Sequence, residues 1–461
     1  MNTWAIVVSL LLLMFFAYRG VTVLILAPLM AGLAVLLSGE AMYIMPTYTQ
    51  VFMSELGGYL IKFFPLFILG ALFGQLVADS GAAHTIAHSI MRRLGTRFVI
   101  LTVVLACALL TYGGVSLFVV AFAVYPIGAV LFRETNTPKR YMPAAIALGS
   151  FTFTMTALPG APSIQNAIPT PYLSTTTFAA PGLGIIAALI MLCLGTWFLQ
   201  SRARKAMAKG EGYGDHKNEN LPSQTVTRPG LLVALLPIII VIGLNAAFTY
   251  AILPSMDLDF LRQERFGSTE PSSVLGLWAV LLALMCAITF VIVLNWNRWE
   301  DLKGSVNKGC FGSLLPIFNT ASEVAYGAVI AGLAGFAIIK DMILNISPDN
   351  PLISAVVSMN VLAGITGSSS GGLSIAFRTL GADYLRMIEA AGISPDLLHR
   401  VATIAAGGLD TLPHSGAVIT LLAICGLTHR QSYPQIFMMT TVVPLTALVA
   451  VLVLGSTFGS F

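Results

Sequence analysis

The sequence predicts an all-α polytopic membrane protein made of two inverted-topology repeats, each with a re-entrant hairpin and a broken helix. Three observations carry that prediction. The 461 residues are 57% hydrophobic and only 10% charged, with mean hydropathy +0.86, whereas a soluble domain carries about 25% charged residues. Apolar segments of membrane-spanning length recur from end to end. Glycine- and proline-rich interruptions fall at matched spacing in the two halves of the chain.

In chain order, residues 4–16 and 21–37 are apolar spans joined by a turn holding Arg19 and Gly20. The first has no basic residue before it and no small-residue cleavage site after it, so it is expected to remain as a span. Residues 39–57 lack Lys and Arg and are expected to form a loop. Residues 58–78 make the third span, and the amphipathic stretch 79–97 carries Arg92, Arg93 and Arg97. Basic loops lie on the cytoplasmic side, which puts the N-terminus outside and Arg19 inside. Residues 98–110 run into Thr111-Tyr112-Gly113-Gly114, and 115–132 lead on to Arg133, Lys139 and Arg140. Basic residues at both ends imply a hairpin that enters and leaves on one side, with its tip at 111–116. Residues 141–156 head outward and break at Ala157-Leu158-Pro159-Gly160-Ala161-Pro162, because two prolines and a glycine end a helix. Residues 163–171 complete the crossing and 182–199 return.

Residues 200–229 are polar and basic, and are expected to be a cytoplasmic linker between half-repeats 1–199 and 230–461. The second half repeats the plan. Residues 230–253 go out, 274–294 return, 295–308 are basic, and 311–339 go out. Residues 352–380 hold the run Gly364-Ile365-Thr366-Gly367-Ser368-Ser369-Ser370-Gly371-Gly372-Leu373-Ser374, which is expected to interrupt its helix. Residues 398–408 enter, break at Asp410–Gly416, and continue through 417–426, with 437–454 as the last span and the C-terminus outside. Arg378 and Arg386 fall on the external side against the charge rule, and Lys62 and Lys340 are expected to snorkel.

The halves agree in local letters. Gly113-Gly114-Val115-Ser116 matches Gly371-Gly372-Leu373-Ser374, Thr137-Pro138 matches Ser394-Pro395, and Ala157-Leu158-Pro159 matches Thr411-Leu412-Pro413. Inverted repeats with paired helix breaks near the midplane are the architecture of secondary transporters.

Hairpin tips and breaks present backbone groups and hydroxyls at membrane depth. Half-helix N-termini suit an anion and freed carbonyls suit a cation. The candidate substrate-binding residues are therefore Thr111, Tyr112, Gly113, Gly114 and Ser116 at the first tip, with Gly160, Ser163, Gln165 and Asn166 at the first break. The second tip adds Thr366, Ser368, Ser369, Ser370, Gly371 and Gly372, and the second break Thr411 and Ser415. For any one of them the competing reading is close helix packing by a small residue. Ionisable residues inside spans are functional candidates by default, so His414, Asp410 and Glu323 are the candidates for proton coupling. The competing readings are that His414 caps the broken helix and that Glu323 lies at the interface.

No metal site or cofactor is expected: His84 and His88 lack a third ligand nearby in sequence, and the five cysteines are scattered singly. No Walker motif is present, so energy is expected to come from an ion gradient. A net charge of +4 says little about partners, because the basic residues sit in loops, and no nucleic-acid partner is expected.

The chain resembles the gluconate permease (GntP) family of proton symporters along nearly its whole length. The resemblance rests on Ala78-Asp79-Ser80-Gly81-Ala82-Ala83, Tyr112-Gly113-Gly114-Val115-Ser116, Ala157-Leu158-Pro159-Gly160, Gly367-Ser368-Ser369-Ser370-Gly371-Gly372, and the segment from Leu412 to Thr420. It implies import of gluconate, related sugar acids or short hydroxy acids such as 3-hydroxybutyrate. It also implies membership of the ion transporter superfamily, a bacterial inner-membrane location and a homodimer. The segment 157–171, with Gln165-Asn166-Ala167-Ile168-Pro169, looks closer to the hydroxybutyrate-type branch.

The function expected is a symporter for a small hydroxy monocarboxylate, driven by protons. A sodium-coupled carrier of the same architecture is the first rival, since tip hydroxyls and carbonyls could hold Na+. An anion channel and an intramembrane enzyme are the rivals from other classes. The enzyme would need a nucleophile–base pair, and adjacent His414 and Ser415 do not readily meet as one. No arginine sits at a predicted tip or break to clamp a carboxylate.

Overall fold

The computed structural model describes residues 3–19, 21–94, 98–115, 117–214, 229–347, 350–413 and 415–461, and these contain helices but no strands. The first half comprises α1 (Thr3–Tyr18), α2 (Val23–Leu37), α3 (Met53–Asp79), α4 (Ala82–Leu94), α5 (Val99–Tyr112), α6 (Leu117–Glu134), α7 (Met142–Ser150) and α8 (Pro181–Ala208). The second comprises α9 (Leu231–Ala247), α10 (Pro271–Leu294), α11 (Leu302–Gly332), α12 (Phe336–Leu344), α13 (Pro351–Thr366), α14 (Ser369–Ala390), α15 (Pro395–Leu409), α16 (Gly416–Cys425), α17 (His429–Phe437) and α18 (Val443–Phe458). Single helical turns at Phe153–Thr156, Ile164–Ala167 and Thr170–Leu173 surround the first break. Six helices among the described residues are long and apolar enough to cross a bilayer.

The halves exchange contacts as repeats of inverted topology do. The third helices of the two halves, α3 and α11, pack along each other, and so do α8 and α18. Helix α3 also packs on α10 of the other half, and α11 on α2. Within each half the first hairpin arm packs on the broken helix: α5 on α7, and α13 on α15.

Both hairpins turn by the same device. The first arm ends in a Schellman-type cap, with Val115 N–H donating to Leu110 O at 3.1 Å and Ser368 N–H to Ala363 O at 3.2 Å. The left-handed residue is Gly114 at φ 94° in one and Gly367 at φ 65° in the other. The structural partner of Gly114 is thus Gly367, and the letter match of Gly113-Gly114 to Gly371-Gly372 does not hold in space.

Three further expectations are corrected. The Gly/Ser run interrupts the helix only at Gly367 and Ser368, and Ser369 onward is the first turn of α14. Ser368 makes this possible as the N-cap, accepting from Gly371 N–H at 3.1 Å. The expected loop 39–57 is helical from Ala41, continuous with α3 to Asp79. A segment without Lys or Arg is not thereby a loop, and Gly57 and Gly58 cost a helix only about 1 kcal/mol each. The expected linker begins as helix, with α8 running to Ala208, and Arg140 holds Glu211 at 2.7 Å.

Arg378 and Arg386, the two arginines that depart from the charge rule, are ion-paired. Arg378 forms a two-pronged pair with Glu55 of α3, and Asp383 lies between Arg386 and Lys340, the latter at 2.6 Å. Lys62 sits over the Tyr172 ring at 4.2 Å.

The hairpin arms α13 and α14 meet without a gap at Gly372, where a methyl group would run into the Ala363 backbone. Gly372→Ala is therefore expected to cost about 1–3 kcal/mol of stability, read as a lower thermal midpoint in detergent. Gly243→Ala on α9, where an added methyl meets nothing within 4 Å, is the control expected to leave the midpoint in place.

Candidate functional site

Both tips and both breaks converge on one cavity of about 580 Å³ between α3 and α11. Of the sequence candidates, Thr111, Gly114, Ser163, Gln165, Thr366, Ser368, Ser369, Ser370, Thr411 and Ser415 line it, as do Asp410 and Glu323. Its apolar wall includes Leu66, Phe67, Val115, Met155, Pro162 and Ile419. Among the described lining residues there is no Lys, Arg or His.

The second tip is tied to both breaks. Gln165 Nε2 of the first break donates to Ser369 Oγ at 3.0 Å, and Ser415 Oγ of the second donates to Gly367 O at 2.9 Å. Ser370 Oγ lies 3.2 Å from Ser368 Oγ and 3.5 Å from Thr320 Oγ1 of α11. Thr366 Oγ1 donates back to Leu362 O at 2.9 Å, and Thr411 Oγ1 to Thr440 Oγ1 at 2.6 Å. Several polar atoms are buried without a hydrogen-bond partner: Thr111 Oγ1, Gln165 Oε1, Glu323 Oε2 and Asp410 Oδ1. All four residues line the cavity, and buried polar atoms of this kind call for a partner. Glu323 is 4% exposed and lies within α11.

Other candidates stand away from the cavity. Tyr112 donates its hydroxyl to Pro159 O at 2.9 Å, and a methyl on Gly113 would meet Ile238 at 2.6 Å. Gly160 donates its N–H to Thr177 O at 2.9 Å and accepts from Asn245 Nδ2 at 3.0 Å. Asn166 is fully buried, donating to Ala161 O and Thr177 O at 3.1 and 2.8 Å. Gly371 packs against the Glu323 carboxyl group without lining the cavity itself, and Gly372 sits in the seam between the arms. Ser116 and His414 lie outside the described residues.

The largest omission from the sequence reading is Arg400, fully buried on α15. Its guanidinium donates to Ala179 O at 3.0 and 2.7 Å, Thr156 O at 3.1 Å, Thr177 O at 3.3 Å and Asn166 Oδ1 at 3.2 Å. Thr403 Oγ1 adds a bond to Thr156 O at 2.8 Å, and His399 Nδ1 meets Thr175 Oγ1 at 2.7 Å. The second half thereby holds the carbonyls left by the first break and by the turn leading into α8.

Residues 1–456 match the model of the GntP family permeases. An uncharacterised transporter of Bacillus subtilis, YxjC, is 44% identical, the match covering 98% of each chain. A high-affinity gluconate transporter of Escherichia coli is 29% identical over 50% of each chain. In fold, the chain is similar to the crystal structure of the Alcanivorax borkumensis YdaH transporter, with TM-score 0.53, 18% identity and 88% of each chain covered.

Arg400→Ala would leave those oxygens unpaired at membrane depth, at a cost of roughly 3 kcal/mol or more. The expected result is a lowered thermal midpoint in detergent, with Arg400→Lys recovering only part of it, since an ammonium lacks the fork.

Proposed function

Since this chain belongs to the GntP family of permeases, we propose that it is a secondary symporter importing a small hydroxy monocarboxylate with protons across a bacterial inner membrane. Gluconate, a related sugar acid and 3-hydroxybutyrate are the candidate substrates, and the Escherichia coli relative's name supports the first. The observation that carries the reading is the composition of the cavity. A hydroxyl-rich helix N-terminus, Ser368–Ser370, stands opposite an apolar wall, with two carboxyl groups beside it. The hydroxyls and helix end suit a carboxylate and its hydroxyl group, and the wall suits a short carbon chain. The carboxyl groups of Glu323 and Asp410, with His414, are the candidates to carry the proton.

The exposed rim of the cavity includes Val21, Thr22, Leu315 and Gly416, at the Arg19 end of the molecule. The charge rule makes that end cytoplasmic, with residues 200–229 on the same side and both termini outside. Toward the outside, Ser374 Oγ donates to Tyr59 Oη at 3.4 Å, Tyr172 stacks on Phe377, and Arg378 pairs with Glu55. The conformation reads as inward-open, with these contacts as the outer closure. Sodium could use the same free oxygens, and coupling is decided by the driving gradient.

Ser369→Ala and His414→Ala are each expected to lower uptake about tenfold or more while expression survives. Wild-type uptake in both variants would remove the second tip and break from the binding site. In proteoliposomes, accumulation is expected under an inward pH gradient in sodium-free buffer. Accumulation only when sodium is supplied would replace the proton.

A further inference from the structure

Glu323 occupies an unusual place. Its side chain is buried, Oε2 has no hydrogen-bond partner, and that same atom presses on Gly371 so closely that a methyl there would overlap it. Gly371 belongs to the first turn of α14, a helix of 22 residues. The N–H of Gly371 is taken by Ser368 Oγ, while those of Ser369 and Ser370 have no acceptor within the helix. The aligned peptide dipoles make this end partly positive. Glu323 thus points an unpartnered carboxylate oxygen at the element best suited to hold a ligand's carboxylate.

Two ionised carboxylates cannot share one helix end in a buried site, because their repulsion is little screened there. Few other charges bear on the outcome. Of the ionisable groups on elements packed against Glu323, Tyr59 of α3 lies near it and Asp410 of the second break, bonded to the Ser369 side chain, lines the same cavity, while Lys62 is turned to Tyr172 and Glu55 to Arg378. Helices α2 and α13 contain no ionisable residue, Tyr326 of α11 is bonded to Ser9, and His414 beside Asp410 lies outside the described residues. Asp410 is placed differently, at the C-terminal end of α15, where the helix dipole disfavours an anion.

We propose that the Glu323 side chain is a built-in occupant of the anion site at the start of α14, and that its protonation admits the substrate. Ionised, it fills the site. Protonated, it loses its attraction for the helix end and leaves the Ser369 and Ser370 N–H groups to the substrate's carboxylate. One proton then enters from the outer solution with each anion and leaves to the cytoplasm after it. This rests on the reading of the substrate as a monocarboxylate, and it supplies the mechanism by which proton and anion bind only together.

The test is binding of radiolabelled gluconate and 3-hydroxybutyrate to the purified full-length protein across pH, with counterflow and accumulation in proteoliposomes. Wild-type affinity is expected to weaken by about tenfold per pH unit on the alkaline side. Glu323→Gln is expected to bind with an affinity that no longer changes with pH, to keep counterflow exchange, and to lose accumulation driven by a pH gradient. If Glu323→Gln does not yield monodisperse protein, Glu323→Asp is measured instead. One methylene shorter, it withdraws the carboxylate from Gly371, and a shallower slope is expected. A wild-type slope retained in the variant, or lost in Asp410→Asn instead, overturns the proposal. If neither anion binds the wild type at any pH, the substrate reading itself fails and this proposal falls with it.

Discussion

A buried guanidinium that donates to carbonyls, with no carboxylate among its bonded partners, ties this molecule together. A helix broken at membrane depth leaves carbonyls that lipid cannot satisfy. The first break frees that of Thr156, the turn leading into α8 leaves those of Thr177 and Ala179, and Arg400 of the opposite half takes them. Burying the charge is expensive, and a fork of donors, each placed on an oxygen, offsets the cost. Asn166 and Asn245 complete the lattice around Gly160 and Thr177. With its backbone secured this way, the first break can approach the second tip and hand it one side chain, Gln165.

The two halves therefore share a plan and divide the work. The first break is mostly consumed in structure, since Asn166 and Gly160 face the Arg400 lattice and, of its polar candidates, Ser163 and Gln165 line the cavity. The second half supplies the hydroxyl-rich tip and both carboxyl groups. Repeat symmetry explains the shared turns and exchanged helix contacts, and the departures from it mark where the chemistry is concentrated.

Much of this was legible in the sequence, because the signals were strong ones. Prolines and glycines at matched spacing located both breaks, and basic clusters bracketed the first hairpin. What was missed follows from contacts that no local pattern encodes. Gly113 and Gly372 serve close packing against Ile238 and Ala363, residues distant in sequence or on the facing arm. Ser369 and Ser370 read as loop formers because their N-cap, Ser368, decides the matter from one residue away. Arg400 and Asn245 did carry a signal, as polar residues inside the apolar stretches of α15 and α9. The rule applied to Asp410 and Glu323 would have found Arg400 too. Its role would still have been misread, since a lone intramembrane arginine suggests an anion clamp rather than a brace for backbone.

The seam at Gly372 has a mechanical consequence. Arms α13 and α14 meet backbone to side chain with no slack, and α13 is packed on α15 in turn. Lifting the tip as a flap on a hinge would have to open this seam. If the cavity is to change sides, these helices travel as one stiff block past α3 and α11, and different side chains meet the acyl chains at each end of the stroke. The surrounding lipid must then thin or stretch to follow, and its elasticity becomes part of the barrier. Turnover by such a stroke would then depend on membrane thickness as well as on the ligands carried.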